Sequence, residues 1–441
     1  MSRSERSSSF ADSIDRNLYE TSDNDDDNSS NKKQKLAPAT ASISRTVTIP
    51  DMVRVDRCHR LPEYGPKILF FSGGSAISEL SRVLKLYTHN SIHLITPFDS
   101  GGSSAELRRA FDMLSVGDLR NRLMALSDES ALGNPQVTAL FSFRLHKHED
   151  LLAREEFGQL LAGTHTLTKA ISIPLRSILQ SHLRWFAHRM PEDFDLCGAS
   201  IGNLIITGCF LEHDYDIVTA IYWIWKLLGV KGICRLLSGA NLHIRTLYDN
   251  GTEEIGQHKM GKSKSLNKIV KIDLVESLHS ESHQEAQTCH IDTVSSELVA
   301  SADLIVFPMG SFFGSVLVNL LPKGVGKTIA QRRCPKVYIP NTGVDPEMHG
   351  YSLADCVQWI IKMVRDDAGE STPVSDILNF VLIDTQHCEY CISIDKEGIV
   401  EQWGIHVLDI QLVDEAEQEA GMPSKILNPT KVSEVLLTLG S

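Results

Sequence analysis

The apolar positions of this 441-residue chain switch repeatedly between two periods. Short apolar runs predict strands at 67–71, 91–95, 139–143, 304–307, 337–339 and 380–383. Spacing of the helical kind follows several of them, over 77–87, 105–114, 312–321 and 353–365. This alternation predicts βαβ units and an α/β fold: a doubly wound, mostly parallel Rossmann-like sheet with helices on both faces. The most apolar segment, 217–230, is interrupted by Lys226 and is shorter than the ~20 residues a bilayer span needs. It reads as a buried helix with Asp214 as N-cap, so no membrane partner is expected. Two stretches, 249–268 and 276–296, read as loops or insertions.

Residues 1–46 are Ser-rich and carry an acidic run, Asp23 to Asp27, and a basic cluster, Lys32, Lys33 and Lys35. They hold too few large apolar groups to offset the entropy of ordering, which predicts a disordered tail followed by a single domain over 66–441. The lysines read as a solvated charge run, with a nuclear signal as the alternative. No apolar leader is visible, and a cytoplasmic location is expected.

Candidate chemistry gathers where predicted strands end. The 91–95 strand runs into Asp99-Ser-Gly-Gly-Ser-Ser-Ala-Glu-Leu-Arg108, and Ser103 and Glu106 have capping-box spacing. A strand, a paired glycine and a helix start form an anion cradle, because unpaired N–H groups and the positive end of the helix dipole face the ligand. Gly101, Gly102, Ser103 and Ser104 are therefore phosphate candidates. Asp99 is either a metal or sugar-hydroxyl ligand or an Asp bonded to its own turn. Arg109 reads as solvated. Arg108, nearer the helix start, is the arginine expected to grip phosphate in its bidentate fork.

The first strand ends in Ser72-Gly-Gly-Ser75, a second glycine turn before a helix. In Val116-Gly-Asp-Leu-Arg-Asn121, Asp118 is a ligand-binding or N-capping residue, while Arg120 and Asn121 have no evident capping role. Asn203 stands before the apolar run 204–206, suited to a base edge or a turn. A third strand–Gly-Ser–helix element follows at Ala302 to Leu320, with Gly310, Ser311, Ser315 and Asn319.

Two motifs carry nothing. Gly324-Val-Gly-Lys-Thr328 lacks the first glycine of a Walker A and follows a helix. Cys388 and Cys391 have no second pair at zinc spacing, and His279, His283, Cys289 and His290 could complete a site only through the fold.

Composition narrows the partners. A net charge of −13 argues against nucleic-acid binding through a general basic surface. Nine cysteines, an odd number without regular spacing, fit reduced thiols.

With these blocks in place, the chain resembles the CofD-like family, which holds the 2-phospho-L-lactate transferases and the YvcK-type gluconeogenesis factors. The resemblance covers about 66–365 well and rests on five ordered blocks: 72–76, 99–108, 116–121, 198–204 and 302–320. Two positions depart from the family pattern. Ser100 replaces the second acid of an Asp-Asp pair, and Ala76 replaces the last glycine of the first turn. The resemblance implies a nucleotide diphosphate donor, magnesium on Asp99, and Arg108 and Arg120 as the catalytic arginines of a metal-assisted phospho-acyl or phosphoryl transfer. Gly73, Gly74 and Ser75 would hold phosphates with Gly101, Gly102, Ser103, Ser104, Asp118, Asn121, Asn203, Gly310, Ser311, Ser315 and Asn319. The alternative is a non-catalytic, nucleotide-sugar-binding regulator, which Ser100 favours. A small-molecule nucleotide-type ligand is expected on both readings, and a homodimer is left open.

Overall fold

The structure is a computed structural model that describes residues 46–130, 133–261, 267–278, 284–414 and 426–440. The N-terminal tail with Lys32, Lys33 and Lys35 lies outside these residues, as do His279 and His283. The described residues from Thr48 onwards form one compact unit.

Seven parallel strands make the main sheet: β1 (Ile68–Ser72), β2 (Ile92–Ile95), β3 (Ile233–Leu236), β7 (Leu304–Phe307), β8 (Lys336–Tyr338), β9 (Phe380–Ile383) and β10 (His406–Asp409). Their order is β10-β9-β8-β7-β1-β2-β3. Strand β1 alternates its side chains between two cores. Leu69 and Phe71 pack with Ile305 and Phe307 on one side, and Ile68 and Phe70 with Leu304 and Val306 on the other. Both faces are covered, which is why these strands are apolar throughout. From β1 the chain moves outward through β2 to β3, and from β7 it moves the other way. The crevice beyond the carboxyl ends of β1 and β7 is thus the switch point of a doubly wound sheet, where ligands bind.

A second, antiparallel sheet was not foreseen. It joins β4 (His243–Tyr248), β5 (Glu253–Ile255) and β6 (Ile269–Val275), with β4 central. The segment expected to be a loop at 249–268 contains its hairpin.

The strand expected at 139–143 is instead part of the helix Pro135–Ser142. Proline at the first helical position and buried Val137, Thr138, Leu140 and Phe141 at helical spacing outweigh the local β preference. The 217–230 segment forms the helix Ile217–Leu228, capped by Asp216 rather than Asp214: the Asp216 carboxylate accepts from the Val218 and Thr219 N–H groups. The helix expected over 312–321 is split into a π turn, Phe312–Val316, and a 3-10 turn, Leu317–Leu320. No helix among the described residues is long and apolar enough to cross a membrane.

Candidate functional site

The turns after β1 and β7 close around a cavity of about 200 Å³ at the switch point. Gly73, Gly74 and Ser75 line one side, Gly310, Ser311 and Ser315 the other, and Asp99 and Asp118 face it from below β2 and the helix Gly117–Ala125. Gly73 is required by close approach. A Cβ there would lie 2.9 Å from Ser315 Oγ and 3.2 Å from Asp118 Oδ2. The turn is held from beneath by Arg122, which is fully buried. Its guanidinium donates to the carbonyls of Gly73 and Gly74 at 3.4 and 3.3 Å, to Ile77 O at 2.9 Å and to Ser81 Oγ at 2.6 Å. With its carbonyls drawn towards this cation, the turn is fixed by a charge, not by glycine geometry alone. Asn319 braces the same strand end, donating to Ser72 O at 3.3 Å and Ser315 O at 2.7 Å.

Asp118 and Asp99 form the negative pole. Asp99 accepts from the Gly101 N–H at 3.0 Å and lies against Gly117, where a Cβ would meet its Oδ2 at 3.6 Å. Asp118 sits in the first turn of the Gly117 helix, whose N-cap position is Val116, so it does not cap that helix. Its Oδ2 is buried without a hydrogen-bond partner among the described residues. Burial, with the neighbouring Asp99 charge second, pushes its carboxyl up to about 6, against the Gly74 N–H, Arg122 and Arg120, which favour the anion. A buried carboxylate oxygen with no donor, beside a second carboxylate and a phosphate-sized cavity, is the arrangement a divalent cation satisfies.

Ser100, the position where the family pattern has an acid, is engaged elsewhere. Its hydroxyl lies 2.8 Å from His258 Nδ1. The carboxylate that neighbours Asp99 on the cavity wall is Asp118, nineteen positions along the chain. Gln257, next to His258, forms part of the cavity wall and donates to Gly314 O at 3.3 Å.

The structure separates the remaining candidates. Arg108 is buried and its donors are committed: to Asn241 Oδ1 at 2.8 and 3.2 Å, Asp99 O at 3.0 Å and Leu242 O at 2.7 Å. It fixes the Asp99 loop against the segment leading into β4 and does not line the cavity. Ser103 and Glu106 form no capping box, because the helix begins at Gly102 and Ser103 lies inside it; Glu106 instead pairs with Arg109 at 2.7 Å. Gly102 takes a φ of +52°, a conformation that glycine adopts without strain. Ser103, Ser104, Arg120, Asn121 and Asn203 gather at the neighbouring helix starts. Around β7, the N–H groups of Phe313 and Gly314 already donate to Glu347 Oε2 at 2.9 and 2.8 Å, and that of Phe312 to Asp345 at 3.3 Å. The third anion cradle is thus filled by the chain's own carboxylates.

Sequence reasoning missed Arg122, Gln257, His258 and the Asp345–Glu347 pair. Arg122 carried a signal, since i and i+4 spacing puts it on the same helix face as Asp118. The others are placed by the unforeseen hairpin and by the loop after β8, and had none.

Comparison with known proteins agrees with this architecture. Residues 68–413 match the family described as 2-phospho-L-lactate transferase CofD. A protein named gluconeogenesis factor from Halalkalibacterium halodurans is 26% identical over 379 residues, covering 84% of this chain and 95% of its own. A putative gluconeogenesis factor from a Nostoc species is 27% identical over 392 residues, with 88% and 71% coverage. A crystal structure of a UPF0052-family protein from Bacillus halodurans superposes with a TM-score of 0.59 at 24% identity, over 84% of this chain and 99% of that one, and shares the fold. By its sequence over most of its length, the chain belongs to the CofD family.

Proposed function

We propose that this protein is a CofD-type transferase that binds a nucleoside diphosphate donor with magnesium and transfers a phosphorus-containing group from it. One observation carries the reading: the buried Oδ2 of Asp118, without a hydrogen-bond partner among the described residues, beside Asp99 on the wall of a glycine-lined cavity. The neighbouring Asp99 charge raises the proton affinity of Asp118, and a cation between the two would relieve that repulsion. Magnesium is bound by one or two carboxylates and completes its shell with phosphate oxygens and water, which fits a cavity too small for a whole nucleotide. Asp99 and Asp118 would hold it. When bound, it would neutralise charge on the phosphate oxygens. The protein's part is positioning. Gly73, Gly74 and Gly310 let the backbone approach the phosphates, Ser75, Ser311 and Ser315 offer hydroxyls, and Arg122 keeps the turn rigid.

A second reading, a nucleotide-sugar-binding regulator without turnover, is favoured by the gluconeogenesis-factor names of the relatives. Calorimetric titration of ADP, GDP, UDP and UDP-sugars with and without magnesium tests what the readings share. Binding should require magnesium, and Asp118→Asn should remove that requirement. Phosphorus NMR with a phospholactyl nucleotide and a deazaflavin, the acceptor whose hydroxyl the transferases of this family use, then separates the two, because binding without product leaves the regulator. Nucleotide binding that ignores magnesium and both Asp99→Asn and Asp118→Asn would overturn the metal site.

A further inference from the structure

Strand β3 ends the main sheet, with β2 on one side and no strand on the other. The Ile233 N–H donates to Ser91 O at 2.8 Å and that of Leu237 to Ile95 O at 3.0 Å, so the odd-numbered residues bond to β2. Parallel pairing then turns the N–H and C=O groups of the even-numbered residues outward. Trp225 agrees with this phase, since its Nε1 donates to Gly232 O at 2.8 Å. Cys234 and Leu236, further along, have no strand to pair with on the open side. Proline and lysine, which protect open edges elsewhere, are absent from the four residues of β3.

This edge forms the floor of a groove of about 600 Å³. One wall is the helix Ile217–Leu228, which presents Val218, Tyr222 and Trp225 at helical spacing. The other is the helix Thr293–Ser301, with Val294 and Leu298. Val218, Tyr222 and Val294 are exposed. The two faces of the strand differ in chemistry. Cys234 and Leu236 pack with the first helix in an apolar core. Arg235, on the opposite face, lines the groove with its Nε buried and without a partner among the described residues. Its Nη2 lies 3.3 Å from Asp292 Oδ1. That carboxylate is shared, because it caps the second helix and accepts from the Ser295 N–H and hydroxyl, both at 2.8 Å. Arg235 therefore keeps donors for a second carboxylate.

A small apolar molecule would cover the walls and leave the Cys234 and Leu236 amides unpaired and cut off from water. A second copy of this chain would bring an edge recessed between the same two helices. Its walls would meet these walls before the strands came within the ~4.8 Å that pairing needs. A single extended chain satisfies floor and walls together. We propose that the β3 groove binds an extended segment of a partner protein, about as long as β3, which adds as an eighth strand. Its side chains alternate between the two faces, apolar ones towards Tyr222 and Trp225 and an acidic one on Arg235.

Selection from a displayed library of random short peptides on the full chain tests the assignment. Enriched sequences should alternate apolar side chains with an acidic one, and should bind as labelled synthetic peptides in fluorescence anisotropy. Methylating every second peptide nitrogen in one phase should abolish binding, and in the other phase should leave it, because only edge pairing tells alternate amides apart. Arg235→Gln should weaken an acid-containing peptide about tenfold and leave its glutamine counterpart unchanged, the loss of one charge-assisted contact. Val294→Lys, at an exposed position that leaves the fold intact by its melting curve, should weaken both. A library that enriches nothing would overturn the site, as would peptides that bind equally well in both methylation phases, which marks adsorption on apolar surface alone. Sedimentation showing a dimer that Val294→Lys dissociates would assign the groove to a second copy and overturn the peptide reading.

Discussion

Ser100 Oγ lies 2.8 Å from His258 Nδ1, a contact between residues 158 apart in the chain. It ties the loop carrying Asp99 to the 3-10 turn Gln257–Lys259, whose Gln257 walls the cavity. An acid at position 100 would meet His258, whereas Asp99 has Asp118 as its neighbour. Ser100→Ala should therefore cost about 1 kcal/mol, the net worth of one buried hydrogen bond, read by urea denaturation. Ser100→Asp should leave magnesium affinity within about twofold of wild type, since in the proposed site the second carboxylate is that of Asp118. A marked gain in calorimetric magnesium affinity for Ser100→Asp would show that position 100 reaches the metal after all.

Arg122 is the second structural wager. It is fully buried and serves four oxygens from the first glycine turn and its helix. Arg122→Met removes this donor from the Gly73 and Gly74 carbonyls, while Ile77 O keeps the Ser81 N–H and hydroxyl, and should destabilise the protein by about 3 kcal/mol. Arg122→Lys keeps the charge but not the planar fork, and should fall between. Both are checked by denaturant melts, and Met behaving like wild type would mean the turn holds itself.

The sheet was legible because parallel strands buried on both faces are short apolar runs, and β7 and β9 fall where the pattern put them. The glycine turns were legible for the same reason: strand, glycine and helix start follow one another locally. What escaped depends on distance in sequence. Asp118 was visible as a candidate, but its place beside Asp99 comes from a helix folding back under β2. Arg108 looked like a phosphate ligand because it follows a glycine turn, yet the carbonyls of Asp99 and Leu242 claim it. The antiparallel sheet was hidden by the polar, glycine-containing composition of its hairpin, so Gln257 and His258 had no local signature at all.

Glu347 should make stability depend on pH near neutrality. Its carboxyl is pushed up to about 7 by burial and by Asp345, opposed by the Gly314 and Phe313 N–H groups it accepts from. The nearby Tyr248 phenol offers no positive charge, and its own titration is raised by burial. Because the folded-state value lies above the unfolded one, the native state holds this proton more tightly, and stability declines as pH rises from about 4.5 to 7. Glu347→Gln keeps an acceptor for both N–H groups and has no proton to lose. It should flatten the decline, so melting points of variant and wild type should converge at pH 5 and diverge at pH 8 in favour of the variant. Parallel curves across that range would mean Glu347 is ionised throughout.

Asp118 makes the last prediction, and here the metal and the proton compete for one oxygen. With its carboxyl pushed up to about 6 in the absence of a cation, Asp118 is partly protonated in weakly acidic solution. Magnesium must displace that proton, so its affinity for the nucleotide-loaded protein should be level above pH 7 and fall about tenfold per unit well below pH 6. The same raised value means that the metal-free native state binds its proton more tightly than the unfolded chain does. Metal-free stability should therefore decline as pH rises from about 4 to 6, and added magnesium should restore it. Asp118→Asn removes the repulsion from Asp99 and should stabilise the metal-free protein at pH 7 by about 1 kcal/mol, after discounting for partial solvent access. It should also abolish the stabilisation by magnesium. Melting curves at pH 5 and 7, with and without magnesium and ADP, test all three effects. A variant that is destabilised at pH 7 and still gains from magnesium would show that Asp118 is a structural acid and that the cation, if bound, sits elsewhere.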